Sequence, residues 1–139
     1  MSKATILVVD DSQDSLDLMQ EMLEPQGYEV RRATSGLEAV GLLRRSAPDL
    51  VILDIMMPDM NGFAVLDVMR ATPALKDIPV IFQTAFPSQE HGRRTVDMGE
   101  SYMLCKPLDA NFFVKVVERC LREGSTGRKC EHEDAISAD

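Results

Sequence analysis

Three carboxylates in this chain stand where apolar runs end. Leu50-Val51-Ile52-Leu53 closes on Asp54, and Thr5-Ile6-Leu7-Val8-Val9 closes on Asp10-Asp11. The first run is bounded by Pro48-Asp49 and Pro58, and such short unbroken runs read as strands buried on both faces of a parallel sheet. The carboxyl ends of those strands border the ligand crevice of an open α/β sheet. Carboxylates gathered there repel one another unless a cation sits among them. Oxygen donors of this kind suit a hard divalent ion that also takes phosphate oxygens. A carboxylate can attack phosphorus to give an acyl phosphate, which makes Asp54 a candidate nucleophile. Thr84, closing Val80-Ile81-Phe82-Gln83, offers a hydroxyl, and Lys106, directly before Pro107, offers a flexible point charge for a phosphoryl oxygen.

The elements that must position these groups follow from the alternation of apolar runs with amphipathic stretches, the pattern of a βα-repeating parallel-sheet domain. Strands are expected at Thr5–Val9, about Glu29–Ala33, Leu50–Asp54, Val80–Gln83 and Tyr102–Cys105. A helix from about Asp14 to Glu24 carries Leu16, Met19, Met22 and Leu23, and Pro25 with Gly27 stops it. The next, about Gly36 to Arg45, has Leu37, Val40, Leu42 and Leu43 as its apolar side. A third runs from near Gly62 to about Ala71 with Phe63, Leu66 and Met69 or Arg70. The stretch 88–98 reads as a helix poor in apolar residues, with Val96 and Met98 the clearest, and so loosely held. The last helix, about Asp109–Glu123, buries Phe112, Phe113, Val116, Val117 and Cys120. Residues 124–139 have no hydrophobic period and read as a flexible polar tail to a domain spanning 1–123.

Composition narrows the class. At 139 residues the chain suits one domain with a real core. Fifteen basic against 23 acidic residues, net −8, argue against a nucleic-acid or anionic-membrane footprint. Three cysteines without CxxC spacing fit a reducing compartment. No signal-peptide core or membrane-length apolar run is visible, so the expectation is a soluble cytoplasmic protein.

Asp10-Asp11, Asp54 followed by Pro58 and Gly62, Thr84-Ala85 and Lys106-Pro107 together resemble the bacterial response-regulator receiver domain over roughly residues 4–123. Thr84 lies 30 residues after Asp54 and Lys106 lies 22 after Thr84, spacings that are similar to the family's. The resemblance implies a flavodoxin-like, doubly wound, five-stranded parallel sheet in order 2-1-3-4-5 with five helices. It implies Mg²⁺ held by Asp11 and Asp54, by Asp10 through water, and by the Met56 backbone carbonyl. The sequence alone does not separate Asp10 from Asp11. It further implies Asp54 as phosphoacceptor, with a phosphohistidine on a sensor histidine kinase or histidine phosphotransfer protein as donor, and Thr84 and Lys106 following the phosphoryl group. The Lys106-Pro107 bond is expected to be cis. The chain would then be a switch with self-catalysed phosphotransfer in place of turnover, acting on a downstream protein and able to form a homodimer.

Two features depart from the pattern. Receivers often place an aromatic residue three positions before the active-site lysine, where this chain has Met103, with Tyr102 one position earlier. Either Met103 acts as an adaptable apolar switch, or a one-residue bulge re-aims Tyr102. The positions two after Asp54 and two after Thr84 are Met56 and Phe86, neither able to orient a water, which predicts slow self-dephosphorylation. Other readings remain open at this point. One is an aspartyl-phosphate hydrolase of the haloacid-dehalogenase kind, whose DxD pattern Asp10-Asp11 does not match. A pseudo-receiver that is never phosphorylated is another, and a receiver cut from a hybrid kinase is a third.

Overall fold

The computed structural model describes residues 3–85 and 102–123. Its elements, in chain order, are β1 (Thr5–Val9), α1 (Gln13–Leu23), a 3₁₀ turn (Glu24–Gln26), β2 (Glu29–Ala33), α2 (Gly36–Arg45) and β3 (Leu50–Asp54). α3 (Gly62–Arg70), β4 (Val80–Thr84), β5 (Tyr102–Cys105) and α4 (Ala110–Glu123) follow. The strands form one parallel sheet in the order β2-β1-β3-β4-β5, the flavodoxin-like arrangement expected. The helix expected over 88–98, Phe86 and the tail 124–139 lie outside the described residues.

Strand alternation sorts the apolar side chains into two layers. Leu7, Val9, Val51, Leu53 and Phe82 point to one face and pack with Ala39, Leu43, Phe63 and Met69 of α2 and α3. Ile6, Val8, Ile52, Ile81 and Leu104 point to the other and pack with Leu16, Met19, Phe113 and Val117 of α1 and α4. β3 is buried throughout, which explains its unbroken apolar run. Each such side chain contributes about 1.5–3 kcal/mol by leaving water.

Local signals place the helix ends. Ser12, Ser35 and Asn61 cap α1, α2 and α3, each side-chain oxygen accepting from an N–H three residues on. Pro25 sits in the 3₁₀ turn that ends α1, and Gly27 turns the chain with φ 94°, a left-handed value that suits glycine. Leu37 corrects the expectation for α2, being 65% exposed while Gly36, Ala39, Val40 and Leu43 face inward. Gly36, Ala39, Val40 and Leu43 form the inward stripe at helical spacing, and Leu37 falls on the solvent side of it. At Gly36 the helix lies so close to the neighbouring loop that a Cβ would meet Met60 Cβ at 2.7 Å.

Candidate functional site

The sheet order changes direction at β1 and β3: the chain moves outward from β1 to β2, then returns to β3 and continues to β4. A crevice forms beyond the carboxyl ends of strands at such a point. Asp10, Asp11 and Asp54 all stand there, each offering a carboxylate oxygen within 4.8 Å of the others'. Asp10 is fully buried, Asp54 is nearly so, and Asp11 is exposed.

Asp10 and Asp54 divide their oxygens in the same way. Asp10 Oδ1 accepts from the Ser12 N–H at 2.9 Å, and Asp54 Oδ1 accepts from the Met56 N–H at 3.2 Å. These two-residue contacts turn the chain out of each strand. Lys106 Nζ donates to both Oδ2 atoms, to that of Asp10 at 2.6 Å and to that of Asp54 at 3.5 Å, and Asp10 Oδ2 also accepts from Gln83 Nε2 at 3.1 Å. The Ser15 Oγ lies 3.4 Å from the same ammonium. Lys106 is set at the strand edge by its own N–H, which donates to the Thr84 carbonyl at 2.9 Å, and the Lys106-Pro107 bond is cis as expected.

Burial, and secondarily the charge of Asp10, raise the Asp54 pKa from 3.8 to about 6, with Lys106 and the Met56 N–H opposing. Burial works against the Lys106 ammonium, but its contacts with Asp10 and Asp54 outweigh this and raise its pKa above the ordinary lysine value. Three carboxylates facing one lysine leave two negative charges uncompensated, which matches a divalent cation. An all-oxygen donor set with one exposed member, Asp11, fits a hard divalent cation such as Mg²⁺.

Gly62 explains the packing behind Asp54. A Cβ at that position would lie 2.6 Å from the Asp54 carbonyl oxygen, so glycine alone lets α3 start against the end of β3. The loop between them is held by Asp59, whose carboxylate accepts from the Gly36 and Leu37 N–H groups at 3.3 and 3.0 Å. Those N–H groups, with further backbone donors, hold the Asp59 pKa below the usual carboxylate value.

Thr84 is fully buried at the end of β4, and Met103 is buried opposite Phe82 on the α2/α3 face. Tyr102 opens β5 opposite Ile81, and β4 and β5 pair residue for residue to Thr84–Cys105. The one-residue bulge entertained for Tyr102 is therefore absent from this register. Gln83 and Asp59 were not singled out in the sequence. The signal for Gln83 was a polar residue inside an apolar strand; for Asp59 no local pattern announced the contact with α2.

Comparison with known proteins adds a family. The model described as response regulator receiver domain matches residues 6–118. The polar-differentiation response regulator DivK of Brucella ovis is 32% identical over 117 residues, 84% of this chain and 95% of that protein. Among solved structures, the signal receiver domain of a signal transduction histidine kinase from Syntrophus aciditrophicus has a TM-score of 0.78 at 32% identity, covering 86% of this chain and 90% of that one. Chemotaxis protein CheY4 of Vibrio cholerae has a TM-score of 0.80 at 30% identity, covering 85% and 98%.

Proposed function

The chain belongs to the response regulator receiver domain family, and from that we propose that it is a phosphorylation-dependent signalling switch whose acceptor is Asp54. The donor is a phosphohistidine of a sensor histidine kinase or histidine phosphotransfer protein, and residues 1–123 form the switching unit. The observation that carries this reading is the placement of Asp54: a buried carboxylate at the switch point, within 4.8 Å of Asp10 and Asp11 and 3.5 Å from the Lys106 ammonium.

In the transfer, an Asp54 oxygen forms a bond to phosphorus as the bond from phosphorus to the imidazole nitrogen breaks. The imidazole leaves with the electron pair and takes a proton from solvent. Lys106 approaches the phosphoryl oxygens as a point charge, and the Thr84 hydroxyl donates to one of them. Asp10, Asp11, Asp54 and the Met56 carbonyl would hold Mg²⁺. Bound there, the ion screens the repulsion between carboxylate and phosphoryl oxygens and stabilises the charge of the transition state. Phosphorylation then shifts an existing equilibrium, with Thr84 and the buried Met103 carrying the change toward a protein target. Among the described residues no helix is long and apolar enough to cross a membrane, and we place the switch in the cytoplasm with its kinase.

Intact-mass spectrometry after incubation with acetyl phosphate tests the reading. One phosphoryl adduct that requires both Mg²⁺ and Asp54, and is lost in Asp54→Asn, is expected. An absence of adduct under every condition would replace the switch with an unphosphorylated interaction module.

A further inference from the structure

We propose that Gln83 is a positioning residue of this site: its side-chain amide holds Asp10 in place when Lys106 leaves that carboxylate for an arriving phosphoryl group. The inference rests on Asp54 as the acceptor. Gln83 stands directly before Thr84 and opposite Asp54 in the β3–β4 register. β3 lies between β4 and β1, yet Gln83 Nε2 reaches past it and donates to Asp10 Oδ2 at 3.1 Å. That oxygen is the one Lys106 grips at 2.6 Å.

Asp10 is 0% exposed with Lys106 in place, so its orientation depends on the donors that the fold supplies. A carboxylate oxygen that loses its fixed donor is disfavoured even where a nearby cation would balance its charge, and that cost opposes the departure of Lys106. With Gln83 in place, Asp10 keeps an N–H donor on each oxygen after the lysine goes, Ser12 on Oδ1 and Gln83 on Oδ2.

The other end of the amide gives an independent argument. Gln83 Oε1 is buried with no hydrogen-bond partner among the described residues. An orphaned acceptor is a poor choice for stability at a position whose neighbours on the same face, Ile81 and Leu104, are apolar. Such a residue is expected where one half of it is needed for chemistry and the fold bears the cost of the other half.

Gln83→Met keeps the length and loses the donor. Its phosphorylation by acetyl phosphate at saturating Mg²⁺ should slow about tenfold, while its urea midpoint stays level or rises. Gln83→Glu, which sets a further carboxylate beside Asp10 and Lys106, should slow at least as much. In the unmodified protein, the Gln83 side-chain NH₂ resonances should remain slow to exchange with solvent when Mg²⁺ and beryllofluoride, a phosphoryl mimic, are bound. That measurement stands even if a variant fails to fold. A Gln83→Met rate within about twofold of the unmodified protein would overturn the proposal. So would a midpoint that falls in step with the rate, or fast amide exchange with the mimic bound. If the unmodified protein takes no phosphoryl group at all, the acceptor reading fails first and this one falls with it.

Discussion

Asp54→Asn should stabilise the metal-free protein at neutral pH. Folding raises the Asp54 pKa from 3.8 to about 6, and each pH unit of that difference is worth about 1.4 kcal/mol. The raised value means that the fold prefers the neutral acid. The contribution is therefore fully favourable below the unfolded pKa and is lost as pH rises through the folded one. Above pH 7 the ionised carboxylate then burdens the fold by about 3 kcal/mol as a ceiling, shrinking to about 1 kcal/mol by pH 4.5. Asparagine keeps the shape and removes the charge, but Lys106 loses its 3.5 Å ionic partner and keeps Asp10 and the Ser15 hydroxyl. The net gain is thus about 1–3 kcal/mol, a rise of several degrees in Tm. Urea unfolding in EDTA at pH 7.5 and pH 4.5, on both proteins, measures it directly. Mg²⁺ should then stabilise the unmodified protein more than Asp54→Asn, since it relieves a repulsion that the variant has already lost. The reasoning fails if Asp54→Asn is the less stable protein at pH 7.5, or if its gain is the same at both pH values.

Lys106→Met should destabilise the metal-free protein by about 3 kcal/mol, because Asp10 loses a buried ionic partner; Mg²⁺ should recover more of the loss than it adds to the unmodified protein, as read from urea midpoints. Gly62→Ala should cost about 1–3 kcal/mol by overpacking against the Asp54 carbonyl, and acetyl phosphate labelling should slow with it; an unchanged midpoint would refute the steric account. The acyl phosphate should persist for minutes or longer after donor removal, because the Met56 side chain, 52% exposed beside the site, has no group to orient water. A mass-spectrometric time course in Mg²⁺ buffer showing decay within seconds would contradict this.

The parts of the fold legible in the sequence were those written in single short runs. β1 and β3 are buried on both faces, so their apolar residues needed no periodicity to be recognised, and the carboxylates closing them stood out by contrast. What stayed hidden depends on register and helix rotation. Leu37 passes any test for a core residue, and it is turned outward because α2 packs through Gly36, Ala39, Val40 and Leu43, with Gly36 seated too close to Met60 for a side chain. Arg32 reads as a solvated strand residue, yet it bonds Asp17 at 2.8 Å and Gln20 at 2.9 Å, tying β2 to α1. Gln83 looks like noise in an apolar strand until the β1-β3-β4 order brings it to Asp10. In each case the missing information was which distant residue lies alongside, and local pattern does not carry that.

The unequal hold of Lys106 has a consequence for the chemistry. A lysine paired tightly with Asp54 would screen the carboxylate and weaken it as a nucleophile. Here the close contact, at 2.6 Å, is with Asp10, while Asp54 is at 3.5 Å. Asp10 is the better anchor because its burial is complete and Ser12 and Gln83 already orient it. Among the described residues Asp54 has the Met56 N–H alone as a second donor, and burial and the Asp10 charge disfavour its ionised form. The resting site therefore stores its repulsion at Asp54, the proposed acceptor, and keeps its cation closer to Asp10. On the proposed reading, conversion of Asp54 to its acyl phosphate would remove the negative charge on the attacking oxygen and bring phosphoryl oxygens within reach of the same lysine. Acceptance of the group and departure of Lys106 from Asp10 would then be two sides of one redistribution of charge, which is the property a switch at this strand edge requires.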